Sequence, residues 1–118
     1  MKTIANAPID LREITLDFTR DVIKFCKSIH HVPLAQPVVH QLIRSSSSVG
    51  ANFIEAKNAS SKKDFRNKIF ISKKEASETM YWLRVCEEFT DSKELLNLQQ
   101  ECQEIILILQ RIVSPLSN

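Results

Sequence analysis

Two Glu-x-x-Glu pairs, Glu75/Glu78 and Glu101/Glu104, have the spacing at which carboxylates line one helix face and, in helical bundles, share in holding paired metal ions. That chemistry also needs a Glu-x-x-His pair on the facing helices, and the sequence contains none. No metal site is expected. His30, His31 and His40 gather around one connection and read as a solvated corner, with a surface metal or a pH effect as the alternative. The cysteines Cys26, Cys86 and Cys102 are odd in number, far apart and without a C-x-x-C pair, which argues against both a zinc site and a disulfide framework. Each sits among apolar residues at helical spacing, as a buried reduced thiol would. No serine, cysteine or lysine stands at a recognisable spacing from a base that would activate it. Neither enzymatic activity nor a cofactor is expected.

Charge says more. Between Lys57 and Lys74 seven basic residues (Lys57, Lys62, Lys63, Arg66, Lys68, Lys73, Lys74) stand against one acid, Asp64, although the whole chain carries only +2. From Glu87 onward six acids stand against two bases. A basic cluster attracts phosphate backbones, because each neutralised phosphate releases condensed counterions. Lys57, Lys62, Lys63, Arg66 and Lys73 are therefore the candidate contacts to RNA or DNA. The bland alternative is a solvated helix start, where basic residues even oppose the helix dipole. A competing function is a scaffold that binds a protein partner, using the acidic last segment.

A second constellation is polar. Arg44, Ser48 and Asn52 are spaced by four with Glu55 three beyond, and Lys74, Glu78 and Trp82 are spaced by four further along, so each set shares one helix face. Antiparallel neighbours would bring Asn52 and Glu55 against Lys68, Glu75 and Glu78. Such a network either fixes helix register or forms a pocket for a ligand or partner.

The elements that position these residues follow from composition and period. One glycine, Gly50, and four prolines in 118 residues leave no material for a phosphate-binding glycine loop or a run of tight hairpins. With 43% hydrophobic and 25% charged residues the chain has a globular balance and is long enough for one core. Four stretches show apolar residues at alternating three and four, predicting helices over about 11–31, 37–57, 62–89 and 92–114. Their stripes run Leu11, Ile14, Phe18, Val22, Phe25, Ile29, Val32; Val39, Leu42, Ser46, Val49, Phe53, Ala56; Phe65, Ile69, Ser72, Ala76, Thr79, Leu83, Cys86; and Leu95, Leu98, Cys102, Ile105, Leu109, Ile112. Asp10, Ser61 and Asp91 are the expected caps, and Pro33 and Pro115 the stops. The run Ser45 to Ser48 with Gly50 disfavours helix by propensity, yet the period on either side carries the helix through it. Small residues there would let a neighbouring helix come close, and Gly50 would serve that approach instead of a turn. The architecture is all-α, an antiparallel up-down-up-down four-helix bundle forming a single domain.

Apolar residues off these stripes, Ile106 and Val113 with Phe70, Tyr81 and Val85, predict a self-association surface. The first ten residues carry one lysine and no apolar segment, and the longest apolar run, Ile105 to Leu109, has five residues, so neither a signal peptide nor a membrane span is expected. The protein is expected in the cytoplasm.

The segment from Gln41 to Leu83, read as Arg44-Ser45-x-x-Ser48-x-Gly50-x-Asn52-x-x-Glu55, then Ser61-x-x-x-Phe65-x-x-Lys68, then Lys74-Glu75-x-x-Glu78-Thr79-x-Tyr81-Trp82-Leu83, resembles the bacterial four-helix bundle proteins of 23S ribosomal RNA intervening sequences. The helix pattern extends the likeness over nearly the whole chain. The resemblance implies a left-handed antiparallel bundle that assembles as a homopentamer and has no established enzymatic activity. A more distant resemblance, to the nucleic-acid-binding accessory proteins of diversity-generating retroelements, is analogy alone. One departure is Lys57-Asn58, where other members commonly carry a glycine-bearing turn.

Overall fold

The computed structural model describes residues 10–116; the stretch 1–9, where no signal segment is expected, and residues 117–118 lie outside it. Four helices form. α1 (Leu11–Ile29) is opened by Asp10, whose carboxylate accepts the Arg12 N–H at 3.1 Å. α2 (Gln36–Lys57) is entered through a 3-10 turn at Pro33–Ala35 and keeps Pro37 in its first turn, where the missing N–H disturbs nothing. α3 (Lys62–Val85) begins at Ser61, whose hydroxyl accepts the Asp64 N–H at 3.0 Å. α4 (Lys93–Val113) is capped by Ser92, accepting from Leu95 N–H at 3.2 Å, and not by the expected Asp91.

Three helix ends fall short of expectation, each for a local reason. α1 stops at Ile29 because Val32, held extended ahead of Pro33 (φ −87°, ψ 112°), cannot continue it. α3 stops at Val85, where the chain tightens into a 3-10 turn over Cys86–Glu88 and Phe89 N–H reaches the Cys86 carbonyl at 2.9 Å. α4 gives way at Ser114 to a 3-10 turn containing Pro115.

Each helix packs on its chain neighbours, and α4 returns against α1 to close an antiparallel bundle. Phe18, Phe25, Leu42, Ile69, Leu83, Ile105 and Leu109 are fully buried at its centre, each worth about 1.5–3 kcal/mol of transfer free energy. The stripes differ in detail from expectation. Val38 takes the buried place expected for Val39, and Ile14, Val32, Phe65 and Ile112 are only partly buried. Val113 is buried and Ile106 and Val85 pack partly against the core, whereas Phe70 and Tyr81 stay exposed, so the α4 part of the expected self-association surface is largely covered and its α3 part is open. The reason is that α4 is flanked by both α1 and α3 and buries a wider arc than one three-four stripe.

The serine run is helical throughout: Ser45 and Ser46 are fully buried, Ser48 is partly buried, and Ser47 faces solvent. Its neighbours are hydroxyl-bearing too. Ser72 on α3 donates to the Val49 carbonyl at 2.7 Å, the Ser45 and Thr79 hydroxyls lie 2.8 Å apart, and Thr19 on α1 donates to the Ser46 carbonyl at 3.1 Å. Among the described residues no buried side-chain polar atom lacks a partner, so these groups escape the desolvation penalty of about 1–3 kcal/mol each that an unmade bond would carry.

Gly50 has no positive φ and is not a turn residue. A Cβ built on it would meet Thr15 Oγ1 at 2.8 Å and Thr15 Cβ at 3.1 Å, and the Thr15 hydroxyl is already committed to the Leu11 carbonyl. Gly50→Ala gains about 1 kcal/mol of helix propensity but overpacks a buried contact at about 1–3 kcal/mol. Urea titration should show a net loss of stability, partly restored by adding Thr15→Ala. A single variant more stable than the parent would mean that α1 and α2 can move apart at this point without cost.

Candidate nucleic-acid interface and the polar groove beside it

The α2–α3 connection places Lys57 at the end of one helix and Lys62 and Lys63 at the start of the next, around a shallow groove lined by Ala56, Lys57, Ser61, Lys62 and Phe65. The connection closes without glycine. Asn58 takes φ −106°, ψ 17°, its backbone N–H reaches the Ile54 and Glu55 carbonyls, and its side-chain amide donates to the Ile54 carbonyl at 3.0 Å. The amide thus covers a terminal carbonyl that a left-handed glycine would otherwise help to satisfy.

Lys57, Lys62 and Lys63 are exposed; Arg66 and Lys73 are partly buried along α3. Eleven residues separate Lys62 from Lys73, a rise of about 16 Å, so the five cations form a stripe leading away from the connection and not one compact cluster. None of the five makes an ion pair among the described residues. Lys68 behaves differently: its Nζ lies 3.2 Å from Glu55 Oε1. Two unpaired cations in the first turn of α3 oppose its dipole, an effect of about 0.3–1 kcal/mol each that Asp64 offsets in part.

On the other flank of α3 lies the polar groove. The Glu55–Lys68 contact forms as expected, but Asn52 turns back and donates from Nδ2 to the Ser48 carbonyl of its own helix at 2.8 Å. Glu75 and Glu78 are claimed instead by Arg44, whose Nη1 lies 3.0 Å from Glu75 Oε2 and whose Nη2 pairs with Glu78 Oε2. Gln41 Oε1 accepts from Arg44 Nε at 2.9 Å, and the Trp82 indole N–H donates to Glu78 Oε2 at 3.0 Å. The indole bond first, then Arg44 and Lys74, hold the Glu78 carboxyl below the ordinary glutamate range. The register that pairs Ser45 with Thr79 is what sets Arg44 opposite these two acids. Through these pairs Arg44 and Lys68 tie α2 to α3 at Glu75, Glu78 and Glu55.

The cysteines are buried and free, and burial pushes the Cys26 thiol up to about 11 and those of Cys86 and Cys102 to about 12. They are inert as nucleophiles at neutral pH. His30, His31 and His40 are exposed, and no group of three or more His, Cys, Asp or Glu converges on a metal-sized site among the described residues. No described helix is long and apolar enough to cross a membrane.

Sequence reasoning missed a set of exposed apolar residues on α1 and α2. Leu16 and Ile23, one heptad apart on α1, and Ile43 and Ile54, three turns apart on α2, are each about 37–47% exposed. Their off-stripe heptad and eleven-residue spacings were the available signal.

A depressed carboxyl pKa stabilises the fold above the unfolded value, and that contribution disappears as pH falls through the folded one. A double-mutant cycle of Arg44→Ala with Glu78→Gln should therefore give a coupling of about 0.5–1 kcal/mol at neutral pH, the scale of a partly exposed pair, shrinking to nothing in the acid range. In the same urea titrations Glu55→Ala should have a smaller effect. Coupling that persists at low pH would contradict the ionic lock.

No curated protein matches the chain. Among solved structures, it is similar to a crystal structure of a protein of unknown function from the S23 ribosomal protein family of Bacteroides thetaiotaomicron, at 30% identity and a TM-score of 0.81 over 88% of this chain and 98% of that one. The family described as 23S rRNA-intervening sequence protein matches residues 9–111. With nearly the whole bundle inside that match, the chain belongs to the 23S rRNA-intervening sequence protein family.

Proposed function

We propose that the protein is a non-enzymatic, homo-oligomeric helical bundle that binds nucleic acid phosphates along the stripe running from the α2–α3 connection. The observation that carries this reading is the contrast between Lys68, neutralised by Glu55, and Lys57, Lys62, Lys63, Arg66 and Lys73, which have no acidic partner among the described residues. Unpaired cations at a helix start bring no stability. Their charge is available to phosphates, and RNA is favoured over DNA by the family's association with ribosomal RNA genes.

Self-association is assigned to the exposed apolar residues Leu16, Ile23, Ile43 and Ile54, and the assembly implied by the family resemblance is a pentamer. Repeating the stripe around a ring multiplies the phosphate contacts available to one ligand. Three free thiols suit the reducing cytoplasm.

One experiment reads both parts. Binding of a structured RNA should weaken steeply with salt, and the variant Lys62→Ala/Lys63→Ala/Arg66→Ala should lower the slope of log K against log salt by about 2–3. Light scattering of the same samples should give the mass of an oligomer. A flat salt response would remove the nucleic-acid reading in favour of a protein-binding scaffold that uses acidic α4, and a monomer at micromolar concentration would remove the assembly.

A further inference from the structure

Phe70 is the one phenylalanine of six that falls among the exposed residues: it is 40% exposed, whereas Phe18, Phe25 and Phe53 are buried and Phe65 and Phe89 pack partly against the core. Residues three and four apart on a helix are surface neighbours. For Phe70 those four positions are Arg66, Asn67, Lys73 and Lys74, so three of its four nearest helical neighbours are basic. Arg66 and Lys73 have no ion pair among the described residues, and no ring or cation contact covers the Phe70 face. Eleven residues on, a whole number of turns away, Tyr81 is 61% exposed and held edge-on against Trp82 with ring centroids 5.1 Å apart. The outer face of α3 thus carries two partly exposed aromatic rings, the first with basic residues one turn to either side.

We propose that Phe70 is a stacking platform for an unpaired base, with Arg66 and Lys73 on the flanking phosphates, so that the ligand of this stripe is a single strand of nucleic acid. The proposal rests on the phosphate-binding reading above and specifies its ligand. A phenylalanine ring has no donor or acceptor for a base edge and no attraction for a phosphate, so without unstacking the bases it adds little to binding of an RNA duplex. Against an unstacked base it adds a face-to-face contact, while the surrounding cations neutralise the backbone. A two-fold contact with a second copy is disfavoured at this spot, because it would set Arg66 and Lys73 against their own counterparts; a head-to-tail ring contact would not, and a measurement of mass distinguishes it.

The test uses the full chain and fluorescence anisotropy with a twelve-nucleotide single-stranded RNA, the matching single-stranded DNA and the RNA duplex, each at several salt concentrations. Both single strands should bind more tightly than the duplex. Phe70→Ala should weaken single-strand binding about 5- to 160-fold, the range of one base–aromatic stack, with the salt slope and the duplex affinity unchanged. Phe70→Trp should restore binding. Thermal melts verify folding and light scattering reports the mass. If Phe70→Ala is silent, or weakens duplex and single strand alike, the stacking platform is overturned while phosphate binding stands. A change of mass in that variant overturns it in favour of a contact between copies, and failure of every nucleic acid to bind overturns the phosphate reading as well.

Discussion

The Ser72 hydroxyl reaches the Val49 carbonyl at 2.7 Å, which requires α3 to lie directly against the backbone of α2. On its other side, α2 approaches α1 so closely at Gly50 that a single added methyl would strike Thr15. Large side chains at these positions would hold the helices apart and leave the Val49 and Ser46 carbonyls without their second partners. Small hydroxyl residues permit the approach and also satisfy the polar groups it buries. Hydrogen bonds have direction, and an apolar seam of the same volume would not. The small-residue seam therefore sets how far each helix is shifted along its neighbour, a choice that leucine packing alone leaves loosely determined.

The electrostatics follow from that register. With Ser45 opposite Thr79, Arg44 comes to lie between Glu75 and Glu78, and Glu55 meets Lys68. The carboxylates on this flank are thereby engaged with Arg44 and Lys68. Lys57, Lys62, Lys63, Arg66 and Lys73 find none within reach and remain as open charge. The modest net charge of +2 conceals this sorting, because the compensating acids sit mainly on α4 and in the turn before it.

Much of the bundle could be read from period alone. The three-four alternation located all four helices, and it carried α2 correctly through four serines and a glycine that propensity would have made a loop; burial of that face outweighs the local preference. Helix ends were less legible, since the 3-10 turn at Cys86–Glu88 has no sequence marker comparable to Pro33. On α4 the off-stripe residues are more covered than expected, for a geometric reason. Whether Ile106 and Val113 face solvent depends on how wide an arc two neighbours cover, and no single-helix pattern contains that information. In the groove, residue types were legible but pairings were not. Asn52 satisfies itself within its own helix, and Arg44 becomes the bridge because a fork of guanidinium donors can serve two acids at once.

If the small-residue seam determines the register of the whole bundle, it should be the last part of the molecule to open. Amide hydrogen exchange followed residue by residue measures this directly. The backbone N–H groups of residues 45–53 should exchange most slowly, at the rate of global unfolding, despite the intrinsic helix weakness of the serine run. Rapid exchange across Ser45 to Gly50, with the Leu- and Ile-rich centre of α4 still protected, would contradict the account by showing that the bundle holds together without the seam.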